Sequence, residues 1–559
     1  MPIQLTTPQG EELLKTKETP WQVYPRPQMR RDSYVNLNGT WRLEVEGKTY
    51  DILVPFCPES LLSGVNQHFD EGTTLIYRRD FSLPEGFNKG RVLLHFGAVD
   101  QIADIYVNQS HLCRHVGGYD AFTVDITDAL REENTLEVRV VDDLRHLSMP
   151  YGKQVLPKKR GGMWYTPVSG IWQTVWLESV PERYIERINI KNVGYSVEIS
   201  VEPQQKMTVS VPGVGAFMGE NGSVTVTPEN PKLWSPESPH LYDFSLETDT
   251  DKVDSYFAIR SLEIRGNRLC LNGKPYFFHG LLDQGYWPDG LFTPAKPECY
   301  VNDILSMKSL GFNMLRKHIK VEPAEFYYQC DRLGMVVFQD MVNNGDYNFL
   351  RDTALPTVGI QKMDDRHLHR DKKTREEFLR QMELAVNQLK NYPCICYWTI
   401  FNEGWGQFDS DNVYEIFKKL DDTRFIDSTS GWFRRRKTDV DSRHVYFKPI
   451  KLKALDKPLV LSEFGGYSYK PEGHVFNTEQ TYGYGKYANA AQYARAVEAL
   501  YREQVLPAVK DGLCAAVYTQ VSDVEDETNG ILSYDRKVCK LEEVPMRAIA
   551  AELTSSLEG

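Results

Sequence analysis

The stretch 394-CICYWTIFNEGWG-406 begins as an apolar run and ends at Asn402, Glu403 and a glycine-rich turn. Its apolar residues do not alternate with polar ones, which is typical of a strand buried on both faces of a parallel sheet. The segment before it, 374–392, has the spacing of polar and apolar residues of a long helix. A helix followed by a doubly buried strand is the repeating unit of an α/β fold.

The same alternation of strand and helix extends over residues 264–559. Eight strand candidates lie at 276–282, 312–318, 335–341, 394–403, 424–429, 443–447, 458–466 and 513–520. Eight β-α units in roughly 290 residues predict a C-terminal (β/α)8 TIM barrel.

The residues upstream of the barrel show a different pattern. In 1–180, short runs such as 90-GRVLLHFGAVD-100 and 134-NTLEVRVVDD-143 read as strands separated by Gly, Asn and Asp. Strands at this spacing without helices predict an N-terminal β-sandwich. Residues 181–263 repeat the pattern on a smaller scale, which predicts a second, immunoglobulin-like sandwich. The chain is therefore expected to be multidomain.

Composition restricts the classes of function. A net charge of −12 over 559 residues, with no domain-sized basic region, argues against binding nucleic acid. No run reaches about 18 apolar residues, and the N-terminus lacks a basic start followed by an apolar core, so neither a membrane span nor secretion is indicated. Nine cysteines, without a Cys-x-x-Cys pair, favour reduced thiols in a cytoplasmic protein. Assembly into a homo-oligomer is left open.

Two glutamates follow long apolar runs at the ends of predicted barrel strands. Glu403 closes the fourth strand, and Glu463 in 458-PLVLSEFGG-466 closes the seventh. Because the C-terminal ends of barrel strands form one mouth, we expect the two carboxyl groups to lie together. Two carboxyl groups about 5–5.5 Å apart hydrolyse glycosides with retention of configuration. Taken alone, either glutamate is more often a solvated rim residue.

Several segments together resemble glycoside hydrolase family 2, whose members include β-galactosidases, β-glucuronidases and β-mannosidases. They are 170-GIWQTVWLE-178, 315-LRKHIK-320, 398-WTIFNEGWG-406, 461-LSEFGG-466 and 518-YTQVSDVEDETNGILSYDRK-537. The resemblance covers nearly the whole chain and implies a sugar-binding-like jelly-roll domain, an immunoglobulin-like domain and a TIM barrel. It also implies a retaining exo-β-glycosidase that acts on a carbohydrate substrate. Because hydrolysis uses only water and two carboxylates, no organic cofactor is expected; no metal ligands are identified, and assistance by a cation is left open.

Carried to this sequence, the resemblance makes Glu403 the general acid/base and Glu463 the nucleophile. Asn402 matches an asparagine that hydrogen-bonds the sugar 2-hydroxyl, and Arg316 matches an arginine that keeps the nucleophile ionised. Other candidates for sugar contacts are Asp283, Trp287, Asp289, His318, Trp432, His444, Tyr446 and Tyr518. Each of them also has a plain structural interpretation, as a packed ring or a satisfied polar group.

The kind of sugar is left open by these residues. A uronide needs a cation against its carboxylate, and the Asn-x-Lys motif of family glucuronidases is missing from the sequence 518–537. The arginines at 434–436, together with Lys317 and Lys320, are alternative cations. A neutral, β-galactoside-like hexopyranoside is the first choice and a β-uronide (galacturonide or glucuronide) the alternative. The third hypothesis is a carbohydrate-binding protein that does not hydrolyse its ligand.

One connection of the barrel is unusually long. The segment 342–373 after the third strand exceeds the usual loop length, which predicts a wall of the active site that confines the enzyme to terminal sugars. Its Asp364, Asp365, His367 and His369 lack the spacing of metal ligands, so no metal site is predicted there.

Overall fold

In a computed structural model, the chain forms two β-sandwiches followed by a parallel barrel. The structure describes residues 3–143, 147–154, 162–357, 360 and 364–557. The predicted fold class is confirmed, whereas the domain boundaries after residues 180 and 263 stay predictions. Within the described part of the chain, no helix is long and apolar enough to cross a membrane.

The first sandwich packs a six-stranded antiparallel sheet against a four-stranded one. The larger sheet contains, in spatial order, Lys48–Val54, Gly39–Val45, Thr74–Phe81, Asn134–Val141, Ile102–Val107 and Ser110–Val116. The smaller sheet contains Tyr34–Asn36, Val175–Val180, Arg91–Phe96 and Phe122–Asp125. A short pair, Val99–Asp100 and Gly170–Ile171, joins them. Alternate residues of Asn134–Val141 are buried, which is the pattern expected of a strand with one face on the core.

The second sandwich is smaller and also antiparallel. One sheet contains Arg187–Val193, Ser196–Glu202 and Ser223–Val226, and the other Gly215–Gly219, Met207–Val211, Tyr242–Glu247 and Lys252–Phe257. Ile199, Leu246 and Phe257 lie in the core between the sheets. A three-stranded sheet, Leu262–Arg265, Arg268–Leu271 and Lys274–Pro275, then leads into the barrel.

The barrel contains eight parallel strands in one sheet. They are β1 (Phe278–Asp283), β2 (Met314–Lys317), β3 (Val336–Asp340), β4 (Ile395–Asn402), β5 (Phe425–Ser430), β6 (Asp441–Val445), β7 (Leu459–Gly465) and β8 (Leu513–Thr519). Their hydrogen-bonded order is β5-β4-β3-β2-β1-β8-β7-β6. Every residue of β4 is buried, which confirms the doubly buried strand predicted from its unbroken apolar run.

The prediction of eight β-α units is wrong in two places. Helices follow β1, β2, β3, β4, β7 and β8, at Glu298–Ser309, Ala324–Leu333, Lys372–Leu389, Ser410–Leu420, Ala490–Leu500 with Leu506–Lys510, and Glu543–Ser555. The described connections 431–440 and 446–458 contain no helix. The first is too short for a helical crossover with its two loops, and prolines at positions 449 and 458 disfavour a helix in the second. A further helix, Pro8–Thr16, precedes the first sandwich.

A buried arginine joins the two sandwiches. Arg31 Nη1 lies 3.1 Å from Glu178 at the end of the first sandwich, and Nη2 lies 2.7 Å from Asp251 in the second. Nη2 also donates a hydrogen bond of 2.7 Å to the carbonyl oxygen of Ile185. None of the three charged side chains is more than 5 % exposed. Removal of the cation would therefore leave two buried carboxylates short of a partner.

We expect Arg31→Met to destabilise the protein by about 3–5 kcal/mol, because one member of a buried charge network is removed. The change is measured as a lower midpoint of urea unfolding, followed by tryptophan fluorescence. Arg265→Met is the matched control, since Arg265 pairs with Glu263 at 2.7 Å on the surface and such pairs contribute little. Equal midpoints for the two variants would contradict the structural role of Arg31.

Candidate active site

The C-terminal end of β4 turns sharply at Glu403. Its φ is 51°, a left-handed conformation that is costly for a residue with a Cβ. The backbone N–H of Glu403 donates a hydrogen bond of 2.9 Å to the carbonyl oxygen of Ser430 at the end of β5. Gly404 and Gly406 continue the turn at φ 79° and 63°. This strained turn brings the Glu403 carboxyl group within 2.7 Å of His444 on β6.

Both carboxylate oxygens of Glu463, near the end of β7, accept hydrogen bonds. Arg316 Nη1 donates to Oε1 at 3.1 Å, and the hydroxyl of Tyr446, directly after β6, donates to Oε2 at 2.5 Å. Burial raises the pKa of Glu463, but its electrostatic interactions with His444 and Arg316 outweigh that effect and hold the pKa below its ordinary value of 4.5. Glu463 is therefore ionised at neutral pH.

Arg316 on β2 connects four strands of the barrel. Nε donates to Asp340 Oδ1 on β3 at 3.0 Å, Nη2 donates to Asn402 Oδ1 on β4 at 2.9 Å, and Nη1 donates to the Ser462 carbonyl on β7 at 3.0 Å. Only 1 % of its side chain is exposed. Burial lowers the pKa of Arg316, but the negative charges of Asp340 and Glu463 raise it by a larger amount. The guanidinium therefore stays charged.

The contact with Arg316 orients the Asn402 amide. Its Oδ1 accepts the bond from Nη2, whereas its buried Nδ2 has no hydrogen-bond partner among the residues that the structure describes. An unpaired buried donor is costly unless a ligand satisfies it. Asn402 Nδ2 is thus available to a hydroxyl group bound in the mouth of the barrel.

His444 on β6 lies between the two glutamates. Its Nδ1 is 2.7 Å from Glu403 Oε1 and 3.6 Å from Glu463 Oε2, and its Nε2 is 3.0 Å from the Ser430 hydroxyl. The ligand atoms of the three side chains all lie within 4.8 Å of one another. Retaining glycosidases hold their carboxyl groups about 5–5.5 Å apart and inverting ones about 6.5–9.5 Å apart, so this spacing fits retention.

A second histidine lies deeper in the mouth. His318 Nδ1 is 2.8 Å from Asp340 Oδ2, and burial lowers the pKa of His318 to about 4. The ring is therefore neutral at pH 7, and its second nitrogen, Nε2, has no protein partner in the described part of the chain. Like the Asn402 amide, this nitrogen is available to a ligand hydroxyl.

Aromatic side chains from two parts of the chain line the mouth. Trp405, two residues after Glu403, lies with its ring centroid 5.4 Å from Trp164 of the first sandwich and 5.8 Å from Tyr347 of the long loop. Trp432 lies 5.5 Å from His444, as a sugar-stacking residue at the rim would. Flat rings of this kind bind the apolar faces of sugars.

Three sequence profiles match this chain. The galactose-binding domain-like profile of glycosyl hydrolase family 2 matches residues 62–154, the profile named for the family itself matches 184–260, and the TIM barrel domain profile matches 262–538. The chain belongs to glycosyl hydrolase family 2. The resemblance expected from the five quoted segments is confirmed.

Named relatives within family 2 differ in their sugars. A β-galactosidase of Thermoanaerobacter pseudethanolicus is 23 % identical over 429 residues, covering 70 % of this chain and 53 % of the relative. A β-glucuronidase of Bacteroides fragilis is 25 % identical over 438 residues, covering 70 % and 59 %. The chain thus spans about half the length of the curated relatives it matches.

Solved structures share the fold along almost the whole chain. A β-D-glucuronidase of Dictyoglomus thermophilum superposes with a TM-score of 0.74 at 19 % identity, covering 95 % of this chain and 98 % of that one. A family 2 β-galacturonidase of Eisenbergiella tayi, bound to galacturonate, gives a TM-score of 0.69 at 18 % identity, covering 95 % and 99 %.

Two predicted sugar contacts, Tyr518 and Asp283, have partners within the barrel domain. Tyr518 is fully buried, and its ring packs 5.6 Å from Phe464 and 6.4 Å from Tyr501 in the outer helical layer. Its neighbour Thr519 faces the site instead, with Oγ1 3.0 Å from the Tyr446 hydroxyl. Asp283 Oδ2 accepts a 2.6 Å bond from Lys317, and its role as a sugar contact stays a prediction.

The other candidates of the loop after β1 have structural partners too. Asp289 Oδ2 accepts bonds of 2.7 Å from the backbone and the hydroxyl of Thr7, which fixes the N-terminal segment on the barrel. The ring of Trp287 lies 4.0 Å from the Arg536 guanidinium. Both residues therefore contribute to the fold, and their roles as sugar contacts stay predictions.

Most of the cations and acids considered for uronide or metal binding form ion pairs within the protein. Arg434 and Arg435 form ion pairs with Asp441, Asp364 and Asp365, and Lys317 and Lys320 with Asp283 and Glu322. His369 pairs with Asp346. Among the residues that the structure describes, the single clustered set of potential metal ligands is Glu403, His444 and Glu463.

Several residues of the site were not found from the sequence. Asp340 ends β3 as the glutamates end their strands, and Trp405 lies within the quoted 394–406 stretch, so both carried a signal. Lys153 and Trp164 come from the first sandwich, more than 200 residues before Glu403, and no spacing in the sequence links them to the barrel mouth.

We expect Tyr446→Phe to lower kcat/KM by about tenfold to hundredfold, because a hydrogen bond to a charged group is lost. The Tyr446 hydroxyl also contributes to the lowered pKa of Glu463. Since Glu463 must be ionised, its higher pKa in the variant should move the acid limb of the kcat/KM profile to higher pH. Tyr414→Phe is the matched control, because Tyr414 donates a similar 2.6 Å bond to Asp439 outside the site. An unshifted acid limb would count against this role.

Proposed function

We propose that the chain is a retaining exo-β-glycosidase that hydrolyses terminal β-linked hexopyranosides. The observation that carries the proposal is the placement of Glu403 and Glu463 at the ends of β4 and β7, with carboxylate oxygens within 4.8 Å. Arg316 keeps Glu463 ionised. Membership of family 2 supports the same reaction class.

In the first step, the ionised Glu463 attacks the anomeric carbon while Glu403 gives its proton to the leaving oxygen. The glycosidic C–O bond breaks, and a covalent ester joins the sugar to Glu463. Asn402 Nδ2, which lacks a protein acceptor in the described chain, donates to the sugar 2-hydroxyl. That hydrogen bond strengthens as positive charge develops on the sugar ring.

In the second step, Glu403 acts as a base. It takes a proton from water, the hydroxyl attacks the anomeric carbon, and the ester to Glu463 breaks. His444 is a positioning residue, because its ring is held by Ser430 on one side and contacts Glu403 on the other. The neutral His318 ring presents its free nitrogen to a sugar hydroxyl.

The aromatic wall supports action on chain ends. Tyr347 of the long loop and Trp164 of the first sandwich both contact Trp405, so one side of the mouth is bounded by three rings. A cleft closed on one side accepts a terminal sugar and excludes the middle of a polysaccharide. A cytoplasmic location is part of the proposal and is supported by the free state of all nine cysteines.

We expect the first product released from a nitrophenyl β-glycoside to be the β-anomer, as followed by proton NMR. Glu463→Gln should lower kcat by on the order of 10⁴-fold or more, because the nucleophile is lost. Glu403→Gln should impair substrates with poor leaving groups most, since these need the proton. Glu472→Gln, on an exposed loop, is the control. Activity should persist in EDTA.

Three outcomes would overturn the proposal. An α-anomer formed first would mean inversion, and near-normal activity of Glu463→Gln would mean a different nucleophile. If no nitrophenol were released from any glycoside tested while sugars still bound, the chain would be a carbohydrate-binding protein.

A further inference from the structure

A lysine from the first sandwich reaches the barrel mouth. The Lys153 backbone carbonyl accepts a 3.0 Å bond from Tyr165 N–H, and the residue as a whole is 5 % exposed. Its Nζ lies 4.9 Å from the ring centroid of Trp405 and 5.8 Å from that of Trp164. The ammonium is therefore close to the aromatic wall and to the turn that carries Glu403.

Lys153 differs from the other buried lysines in having no direct anionic partner. The described residues include four buried lysines. Lys317, Lys320 and Lys540 each bind a carboxylate oxygen at 2.6 to 2.9 Å. Lys153 Nζ has no hydrogen-bond acceptor, and no carboxylate oxygen within 4.0 Å, among the described residues. A buried cation without a partner is costly, and a bound anion would remove that cost.

The negative charges of the proposed catalytic pair act on the Lys153 ammonium. Burial lowers the pKa of Lys153, whereas the negative charges of Glu527, Glu463 and Glu403 raise it. The nearest competitor, Glu527, is itself engaged, because its carboxylate accepts bonds from the Tyr165 hydroxyl and, at 3.0 Å, from Asn529 Nδ2. The Lys153 ammonium is thus left without a carboxylate partner among the described residues, 4.9 Å from the ring of Trp405 on the turn that carries Glu403.

We propose that Lys153, a residue of the first sandwich, binds the carboxylate of a terminal hexuronic acid and thereby selects uronides over neutral sugars. This inference rests on the proposed function above. A carboxylate supplies the missing charged hydrogen bond to the ammonium, which the hydroxymethyl group of a neutral hexose does not. Four of the barrel cations considered from the sequence are already paired with acids: Lys317, Lys320, Arg434 and Arg435.

The test compares matched substrates and variants. Wild type, Lys153→Met, Lys153→Arg and Lys206→Met are assayed on nitrophenyl β-glucuronide, β-galacturonide, β-glucoside and β-galactoside. Lys206 pairs with Glu220 on the surface and serves as the control. One further substrate is a neutral sugar whose aryl aglycone has a carboxylate. It shows whether Lys153 recognises a carboxylate on the leaving group or one on the sugar.

A uronide should be the preferred substrate of wild type. Lys153→Met should lower kcat/KM for that uronide about 100-fold more than for the neutral sugar of the same configuration, the loss expected for a buried charged contact. Lys153→Arg should recover part of the loss because the charge is kept. Lys206→Met should behave as wild type on all substrates.

A second measurement uses binding alone. Titration calorimetry on Glu463→Gln, with and without Lys153→Met, should show that Lys153→Met weakens binding of the free uronic acid much more than binding of the neutral hexose. Equal losses on charged and neutral sugars, a preference of wild type for neutral sugars, or a loss confined to the carboxylated aglycone would each overturn the role of Lys153. None of these results would affect the retaining mechanism, which is tested separately by the activity of Glu463→Gln, by the anomer formed first and by release from any glycoside.

Discussion

The hydrogen bonds of Arg316 are the constraint on which the site depends. One guanidinium binds Glu463, Asn402 and Asp340, which lie on three different barrel strands. Together with His444 it holds the pKa of Glu463 below its ordinary value, and it also orients the neighbouring Asn402 amide. The carboxylates of Asp340 and Glu463 balance the charge of the guanidinium. Because the group is buried, water scarcely screens these interactions. The proposed role of Glu463 as nucleophile follows from this arrangement.

The barrel does not form the cleft by itself. Trp164 and Lys153 come from the first sandwich, and Arg31 fastens that sandwich to the second through buried ion pairs. Arg260 of the second sandwich in turn donates bonds of 2.7 and 2.8 Å to the carbonyls of Pro393 and Ile395, where β4 begins. Packing between the sandwiches and the barrel thus supports the strand that carries Glu403.

The positions of Glu403 and Glu463 were predictable because each ends an unbroken apolar run, and strand ends of a parallel barrel share one face. The direction of a side chain within such a run was not. Tyr518 and Thr519 are adjacent on β8 and face opposite sides, and an all-apolar strand carries no alternation to tell them apart. The bond between Asp283 and Lys317 is likewise not indicated by the apolar run that Asp283 ends. The residues from the first sandwich depend on the docking of domains, which local sequence patterns do not encode.

The central claim is that Glu463 forms a covalent bond to the sugar, and it is tested most directly by trapping that intermediate. The protein is incubated with 2-deoxy-2-fluoroglycosyl fluorides of the β-glucurono, β-galacturono, β-gluco and β-galacto configurations, which slow the second step. It is then digested and analysed by tandem mass spectrometry. The expected result is one fluorosugar per chain, attached to Glu463 and missing from Glu463→Gln. An adduct on Glu403, or steady turnover of a normal substrate with no adduct from any of the four, would contradict the double-displacement mechanism.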